Sequence, residues 1–322
     1  MRSILLAAMA VCTLLLSPAW AEQKASLRLN WLIYGFHTPF YLGVEKGFYR
    51  QNGIDLTIGE GQGSGRAVQT VATGSDTFGL ADGASIMAVA VKGAPVQAVM
   101  GVMNQSPYAI IVRKDSGITT LQGLAGKTLA GTAGEAGLAI FPAILKRNEM
   151  DADAIRFLHV DGAAKLVAIL QNRTVGMLGG LENQTLILEA RGLPVVSLPY
   201  ADLGVNTVGL SIVVSRETET NNPALVRGFI KATQEAYETA ERDPEAAVQA
   251  GMRAKPTMEH DLALAQLKAG LALLKSPHGK DKPIGWMSAE DWSDTLALAK
   301  QYQGLQTDAP ATAFYTVEFL PH

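Results

Sequence analysis

Four ring side chains, Trp31, Tyr34, Phe36 and His37, crowd into one short stretch directly after Asn30. Rings at this density offer stacking faces to a flat molecule, and the amide and imidazole beside them add hydrogen-bonding groups. A second concentration has different chemistry. The loop GGLEN, Gly179 to Asn183, sets a carboxylate (Glu182) and an amide (Asn183) behind a pair of glycines. Further polar candidates are Gly63 and Ser64 within GEGQGSGR (Gly59 to Arg66), Asp82 at a predicted strand end, and Thr132 and Glu135 at the ends of a glycine-containing loop. Together these residues suit non-covalent capture of a small molecule.

Covalent, nucleotide and metal chemistry find less support. The glycine-rich loop follows a strand and opens a helix, the setting of an anion cradle. However, a phosphate loop needs Lys and Ser or Thr after its last glycine, where Arg66 and Ala67 stand, and a dinucleotide fingerprint starting at Gly61 needs glycine at Arg66. The turn is therefore either a plain strand-to-helix link or a ligand contact through Gly63 and Ser64. His37, His159, His260, His278 and His322 show no ligating spacing, so no metal is assigned. Ser64 is flanked at two residues by Gln62 and Arg66 rather than by glycines, which removes the nucleophile elbow. No catalytic residue and no cofactor are assigned. His37 is either a ligand contact or a brace for the aromatic loop.

The elements that must position these groups alternate. Leu27 to Asn30 has the period of a strand, and Thr38-Pro39 predicts a helix start with a hydroxyl cap and a first-turn proline; Gly47 ends that helix. From Glu22 to Met103 strands and helices take turns, with Gly47, Gly74 and Gly93 at the joints, which predicts a parallel sheet with helices on both faces. Ligands of such sheets bind beyond the carboxyl ends of the strands, here Asn30-Trp31, Gly59 to Gly65 and Ala81 to Gly83. Asn104 to Arg113 reads as a crossover into a second αβ region, which opens with a capping box at Thr119 and Gln122. Gly209 to Val214 reads as the strand that returns. After Arg216 the chain turns helical, with starts at Asn222-Pro223, Asp243-Pro244, Leu262 and Ser288.

The segments HTPFYLGVEKGFYRQNGIDLTI, GEGQGSGRAVQTVATGSDTFGLAD, LQGLAGKTLAGTAG and FYTVEFLP, in that order, resemble periplasmic substrate-binding proteins of ABC importers. The branch they resemble takes up thiamine pyrimidine precursors, sulfonates, nitrate and related solutes. This resemblance implies an α/β, two-lobed periplasmic binding protein fold (type II), two α/β lobes joined by two crossover strands. Lobe 1 would comprise residues 22–105 and 212–322, and lobe 2 residues 106–211. In pyrimidine-precursor binders an Asn-Trp pair supplies a hydrogen bond and a stacking face, and it falls on Asn30 and Trp31. The glutamate that those binders offer to the pyrimidine amino group falls on Glu182. Where they set aromatic residues around that loop, this chain has Gly179, Gly180 and Leu181.

Residues 1 to 21 carry the marks of a cleavable export signal: Arg2, an apolar run from Ile4 to Leu16, Ser17-Pro18, and Ala19-Trp20-Ala21. Cleavage before Glu22 would leave roughly 300 residues, enough for two compact units, and 48% hydrophobic content can fill their cores. Cys12, the one cysteine, falls in the signal, so the mature chain has none, which suits an oxidising compartment. A net charge of −3 without long charge runs argues against a nucleic-acid partner.

The expected function is that of a periplasmic, monomeric solute-binding protein. It would capture a small planar heterocycle, foremost a pyrimidine-like thiamine precursor, and deliver it to an inner-membrane ABC permease with its ATPase. A sulfonate, nitrate or aromatic carboxylate is the alternative ligand. The expectation is that the chain is not an enzyme: the pyrimidine-precursor synthase that shares this fold relies on a cysteine-rich motif, and the mature chain lacks one.

Overall fold

A computed structural model describes residues 22–321; the expected export signal, with Cys12, lies outside them, as does His322. Among the described residues ten strands form two five-stranded sheets. β1 (Gln23–Arg28), β2 (Ile54–Gly59), β3 (Phe78–Asp82) and β4 (Val96–Gly101) lie in the first. The chain then crosses to the second, which contains β5 (Tyr108–Arg113), β6 (Thr128–Gly131), β7 (Arg156–His159), β8 (Gly176–Gly180) and β9 (Val195–Pro199). It returns through β10 (Leu210–Ser215), which inserts between β3 and β4, giving the order β2-β1-β3-β10-β4; the second sheet runs β7-β6-β8-β5-β9. With helices packed around each sheet, the protein has the two-lobed α/β architecture of periplasmic binding proteins.

Neither sheet is wholly parallel, which corrects the expectation for residues 22–103. β10 pairs antiparallel with both β3 and β4, and β5 pairs antiparallel with both β8 and β9. The reason is the crossovers. A strand that enters a sheet straight from the other lobe arrives without the helical return that a parallel neighbour requires, so it runs the opposite way. The other pairs, β1 with β2 and β3, and β6 with β7 and β8, are parallel as alternation predicts.

Helix Pro223–Arg242 returns to the first sheet and buries the stripe Leu225, Val226, Phe229, Ile230 and Thr233 that its helical spacing predicts. Phe229 stacks on Phe78 of β3 at 3.9 Å between ring centroids. Full burial of one such side chain contributes about 1.5–3 kcal/mol. Asp243 and Ser288 cap their helices as expected, accepting from Ala246 N and from Glu290 and Asp291 N. Two caps differ. The Thr38 hydroxyl donates backwards to Gly35 O, because the chain before it is already wound as a tight 3-10 turn, Gly35–His37. At the second lobe's entrance Thr120, not Thr119, caps, through Gly123 N. No helix among the described residues is long and apolar enough to cross a membrane.

Candidate ligand-binding site

The aromatic loop leaves β1 at its carboxyl end and is held from several sides by its own lobe. Gly35 N donates to Gln266 Oε1 (3.0 Å), and Gly35 packs so tightly on helix His260–Leu271 that a Cβ would meet Ala263 O at 2.0 Å. Tyr237 donates its hydroxyl proton to Phe36 O, and Ile33 N donates to Glu60 Oε1. The glycine-rich loop closes from the other side, with Gly61 N on Trp31 O (3.0 Å) and Gly63 N on Asn30 O (2.8 Å). Gly61 is required there, since a Cβ would fall 1.7 Å from Leu29 O. Among the two alternatives for His37, the geometry favours the brace. Its ring is fully buried, and burial pushes its pKa down to about 3, so it is neutral. Nε2 lies 2.9 Å from Asn30 Oδ1; because that oxygen only accepts, Nε2 carries the hydrogen. Asn30 is thereby turned so that its amide N–H groups are the donors left for the cleft.

The facing wall comes from lobe two. After β8 the chain makes a π-helical turn, Leu181–Thr185, which carries Glu182, Asn183 and Gln184 inward. The glycines before it have a steric role: a Cβ on Gly180 would lie 2.2 Å from Glu182 Oε2, and one on Gly179 would lie 2.9 Å from Gln184 Cβ. The Glu182 carboxyl therefore folds back over the strand end, in space that aromatic side chains would otherwise fill. Burial pushes its pKa up to about 7, against the Tyr34 hydrogen bond that pulls it down. Glu182 Oε1 accepts from Tyr34 Oη (3.0 Å), while Oε2 is buried without a partner. Lower on the same wall, Glu135 begins helix Ala136–Arg147 and accepts from Thr132 N at 2.8 Å. Its other oxygen pairs with Lys165, which is 1% exposed.

Both walls meet. Gly63, at φ +124°, lies so close to the second lobe that a Cβ would be 2.3 Å from Gly134 O. Lys165 Nζ sits 4.6 Å from the centroid of the Trp31 ring, and Gln266 links the lobes by donating to Asn183 Oδ1 at 2.9 Å. The cavity enclosed between them measures about 40 Å³. A cavity of about 150 Å³ is known to admit benzene. The space as it stands is therefore too small for a ring. Trp31 also lines a second pocket of about 280 Å³ toward Gln62, Thr132 and Gly162.

Eight of the predicted residues line the central cavity: Asn30, Trp31, Tyr34, Gly63, Ser64, Glu135, Glu182 and Asn183. Thr132 lines the neighbouring pocket instead. His37 stands behind Asn30, and Asp82 caps helix Gly83–Val91 by accepting from Ser85 N, with its own N–H on Ser64 Oγ. Burial raises the Asp82 pKa, and its position behind Ser64 makes it a support for the wall. Sequence reading missed Lys165, Tyr108 and Gln184 among the lining residues. Lys165 did leave a trace: it shares a helical face with Ala168 and Ile169, so its phase points a charge inward. Tyr108, the first residue of β5, brings to the cavity wall an aromatic ring that the residues next to Glu182 in sequence do not supply. No group of three or more His, Cys, Asp or Glu among the described residues could hold a metal ion.

A family model described as "NMT1/THI5 like" matches residues 35–247. A riboflavin-binding protein, RibY of Chloroflexus aurantiacus, is 23% identical over 93% of this chain and 86% of its own length. A 4-amino-5-hydroxymethyl-2-methylpyrimidine phosphate synthase of Legionella pneumophila is 27% identical over 75% of this chain and 77% of its own. Among solved structures, the alkanesulfonate-binding protein SsuA of Xanthomonas axonopodis bound to MOPS superposes with a TM-score of 0.71 at 17% identity, covering 91% of this chain and 98% of that one. The periplasmic nitrate-binding protein NrtA of Synechocystis gives 0.68 at 13%, covering 92% and 86%. At such identities these structures share the fold. The synthase names, carried also by relatives from Saccharomyces cerevisiae and Aspergillus parasiticus, overturn the expectation that the chain is not an enzyme. That expectation rested on the absence of cysteine from residues 22–322 and on the expected export; the first bears on thiol chemistry only. A carboxyl with a pKa near 7 in the cleft has the proton affinity that acid–base work uses.

Proposed function

We infer the function from one premise: the chain belongs to the NMT1/THI5 like family. We propose that it captures a small, planar, amino-bearing heterocycle between its lobes, with a pyrimidine-like thiamine precursor as the leading ligand. The observation that carries this reading is the opposition of Trp31 and the Asn30 amide on one wall to Glu182 on the other, joined by the Tyr34–Glu182 hydrogen bond. Trp31 supplies the stacking face. Glu182 accepts from an amino substituent, and a hydrogen bond to a charged partner contributes about 1.5–3 kcal/mol. Asn30 donates to a ring nitrogen or oxygen, while Asn183 and Ser64 complete the rim.

The lobes divide at residues 105/106 and just before β10, because Leu210 and Ser211 already pair in the first sheet and the expected boundary at 211/212 would cut that strand; they close because the ligand touches both, which gives it higher affinity for the closed form. In the same reading the chain is exported, cleaved before Glu22, and passes its ligand to an inner-membrane ABC permease. A second reading, formation of a pyrimidine phosphate in the cleft, draws on the names of the synthase relatives and on the raised pKa of Glu182.

Calorimetry with a panel of aminopyrimidines, riboflavin, alkanesulfonates and nitrate tests the ligand class. The expected result is tight binding of an aminopyrimidine that weakens in Glu182→Gln; tight sulfonate or nitrate binding indifferent to Glu182→Gln would reject it. Mass spectrometry of the molecule recovered from the complex distinguishes capture of a supplied pyrimidine from formation of a pyrimidine phosphate.

A further inference from the structure

Among the described residues lining the central cavity, Lys165 is the one cationic side chain. It is also neutralised where it stands. Its ammonium pairs with Glu135 Oε2, and Glu135 Oε1 takes the Thr132 N–H at 2.8 Å, which fixes the carboxylate against the lysine. Both partners are nearly sealed from solvent, at 1% and 7% exposure. An ammonium has three N–H donors. One goes to Glu135, a second side of the group faces the Trp31 ring at 4.6 Å, and Lys165 has no other hydrogen-bond acceptor among the described residues. A donor therefore remains for whatever enters the cavity.

The physics of this pair separates ligands by charge. An oxyanion brought to Lys165 also comes close to the Glu135 carboxylate, so attraction and repulsion largely offset each other. The cost of stripping water from the anion is then left uncompensated. A neutral ring nitrogen, carbonyl or hydroxyl oxygen has far less hydration to lose and still receives the hydrogen bond.

We propose that Glu135 and Lys165 form a charge filter in the ligand cleft: Lys165 donates to a neutral acceptor at the edge of a planar ligand, and Glu135 cancels the charge that would otherwise retain an oxyanion. This rests on the cleft reading given above and deepens it. Proteins sharing the fold are named for alkanesulfonate and nitrate; in this chain the cancelled lysine makes the same architecture selective for neutral rings.

The test uses two probes that differ in charge, 4-amino-5-hydroxymethyl-2-methylpyrimidine and its phosphate ester, titrated into the wild type, Glu135→Gln and the double variant Glu135→Gln/Lys165→Met. The wild type should prefer the alcohol. Glu135→Gln, by exposing the lysine's charge, should shift the ratio of the two affinities toward the phosphate by about 10-fold or more. The double variant, which buries no charge at this position, should restore the preference for the alcohol. A parallel arm measures thermal stabilisation by methanesulfonate, expected in Glu135→Gln and absent in the wild type. If the alcohol binds and the ratio is unchanged in Glu135→Gln, the filter is rejected and the pyrimidine reading stands. If the wild type ignores the alcohol while Glu135→Gln gains methanesulfonate, the pyrimidine reading falls and the filter stands. Failure of both arms rejects both.

Discussion

Lobe one presents Trp31, Asn30 and Tyr34 on a loop that its own glycine turn and C-terminal helices brace, whereas lobe two presents Glu135, Lys165 and Glu182, ionisable groups buried at strand ends and in first helical turns. The first wall keeps its shape without the second, since the contacts to Gln266, Tyr237, Gly61 and Gly63 all lie within lobe one. The second wall leans on the first. Glu182 finds its hydrogen bond on Tyr34, and the Lys165 ammonium finds its aromatic neighbour on Trp31. One wall thus supplies a surface for shape that its own lobe holds, and the other supplies charged groups that find partners on the first.

The strongest way to break this contrast is to unbalance the polar wall. Lys165→Ala leaves the Glu135 carboxylate buried and unpaired, and should cost about 3–5 kcal/mol of stability in urea unfolding. A loss below 1 kcal/mol would show that the pair is not sealed as described.

Proton concentration tests the same wall next. Burial raises the Glu182 pKa from about 4.5 in the unfolded chain to about 7 in the folded protein, so the folded form binds an extra proton between those values. Glu182 therefore does not penalise folding below about pH 4.5, the penalty grows as pH rises to about 7, and it is constant above. At full effect it amounts to about 3 kcal/mol at most. Urea unfolding should show stability contributed at this position falling as pH rises through that window, and Glu182→Gln should flatten the response. Parallel pH profiles of the wild type and Glu182→Gln would contradict the assignment.

The smallest effect belongs to the first wall. Trp31→Ala should weaken binding of an aminopyrimidine by about 0.5–1.5 kcal/mol beyond the lost burial, with stability changed far less than in Lys165→Ala. Calorimetry and urea unfolding on the same preparations compare the two directly.

What could be read in the sequence follows the same division. The aromatic loop was legible because every signal for it is local: an alternating strand, a dense run of rings, and a proline-marked helix start. The α/β alternation was legible for the same reason, and eight of the eleven predicted site residues do converge on one cavity. The filter pair was only half legible, since Glu135 stood in a loop that could be searched, while Lys165 lies thirty residues later and meets it only through β6 and β7 lying side by side. The antiparallel strands escaped because pairing of β10 with β3 and β4 joins segments more than a hundred residues apart, about which periodicity says nothing. Asp82 was misplaced because a strand-end carboxylate and a helix cap look identical in sequence; the hydrogen bond from Ser85 N decides between them.

The insertion of β10 between β3 and β4 also sets an order of events during synthesis. The first sheet cannot be completed when its first four strands leave the ribosome, because the strand that joins β3 to β4 follows the whole of the second sheet. The second sheet, by contrast, is encoded without interruption from β5 to β9. A nascent chain therefore holds an unfinished amino-terminal half, with two open strand edges, while its middle third can already assemble, and unpaired edges of this kind are where aggregation starts. Residues 210–215 act as the closing stitch of the molecule, and the interval before they emerge is when the growing chain has most need of protection.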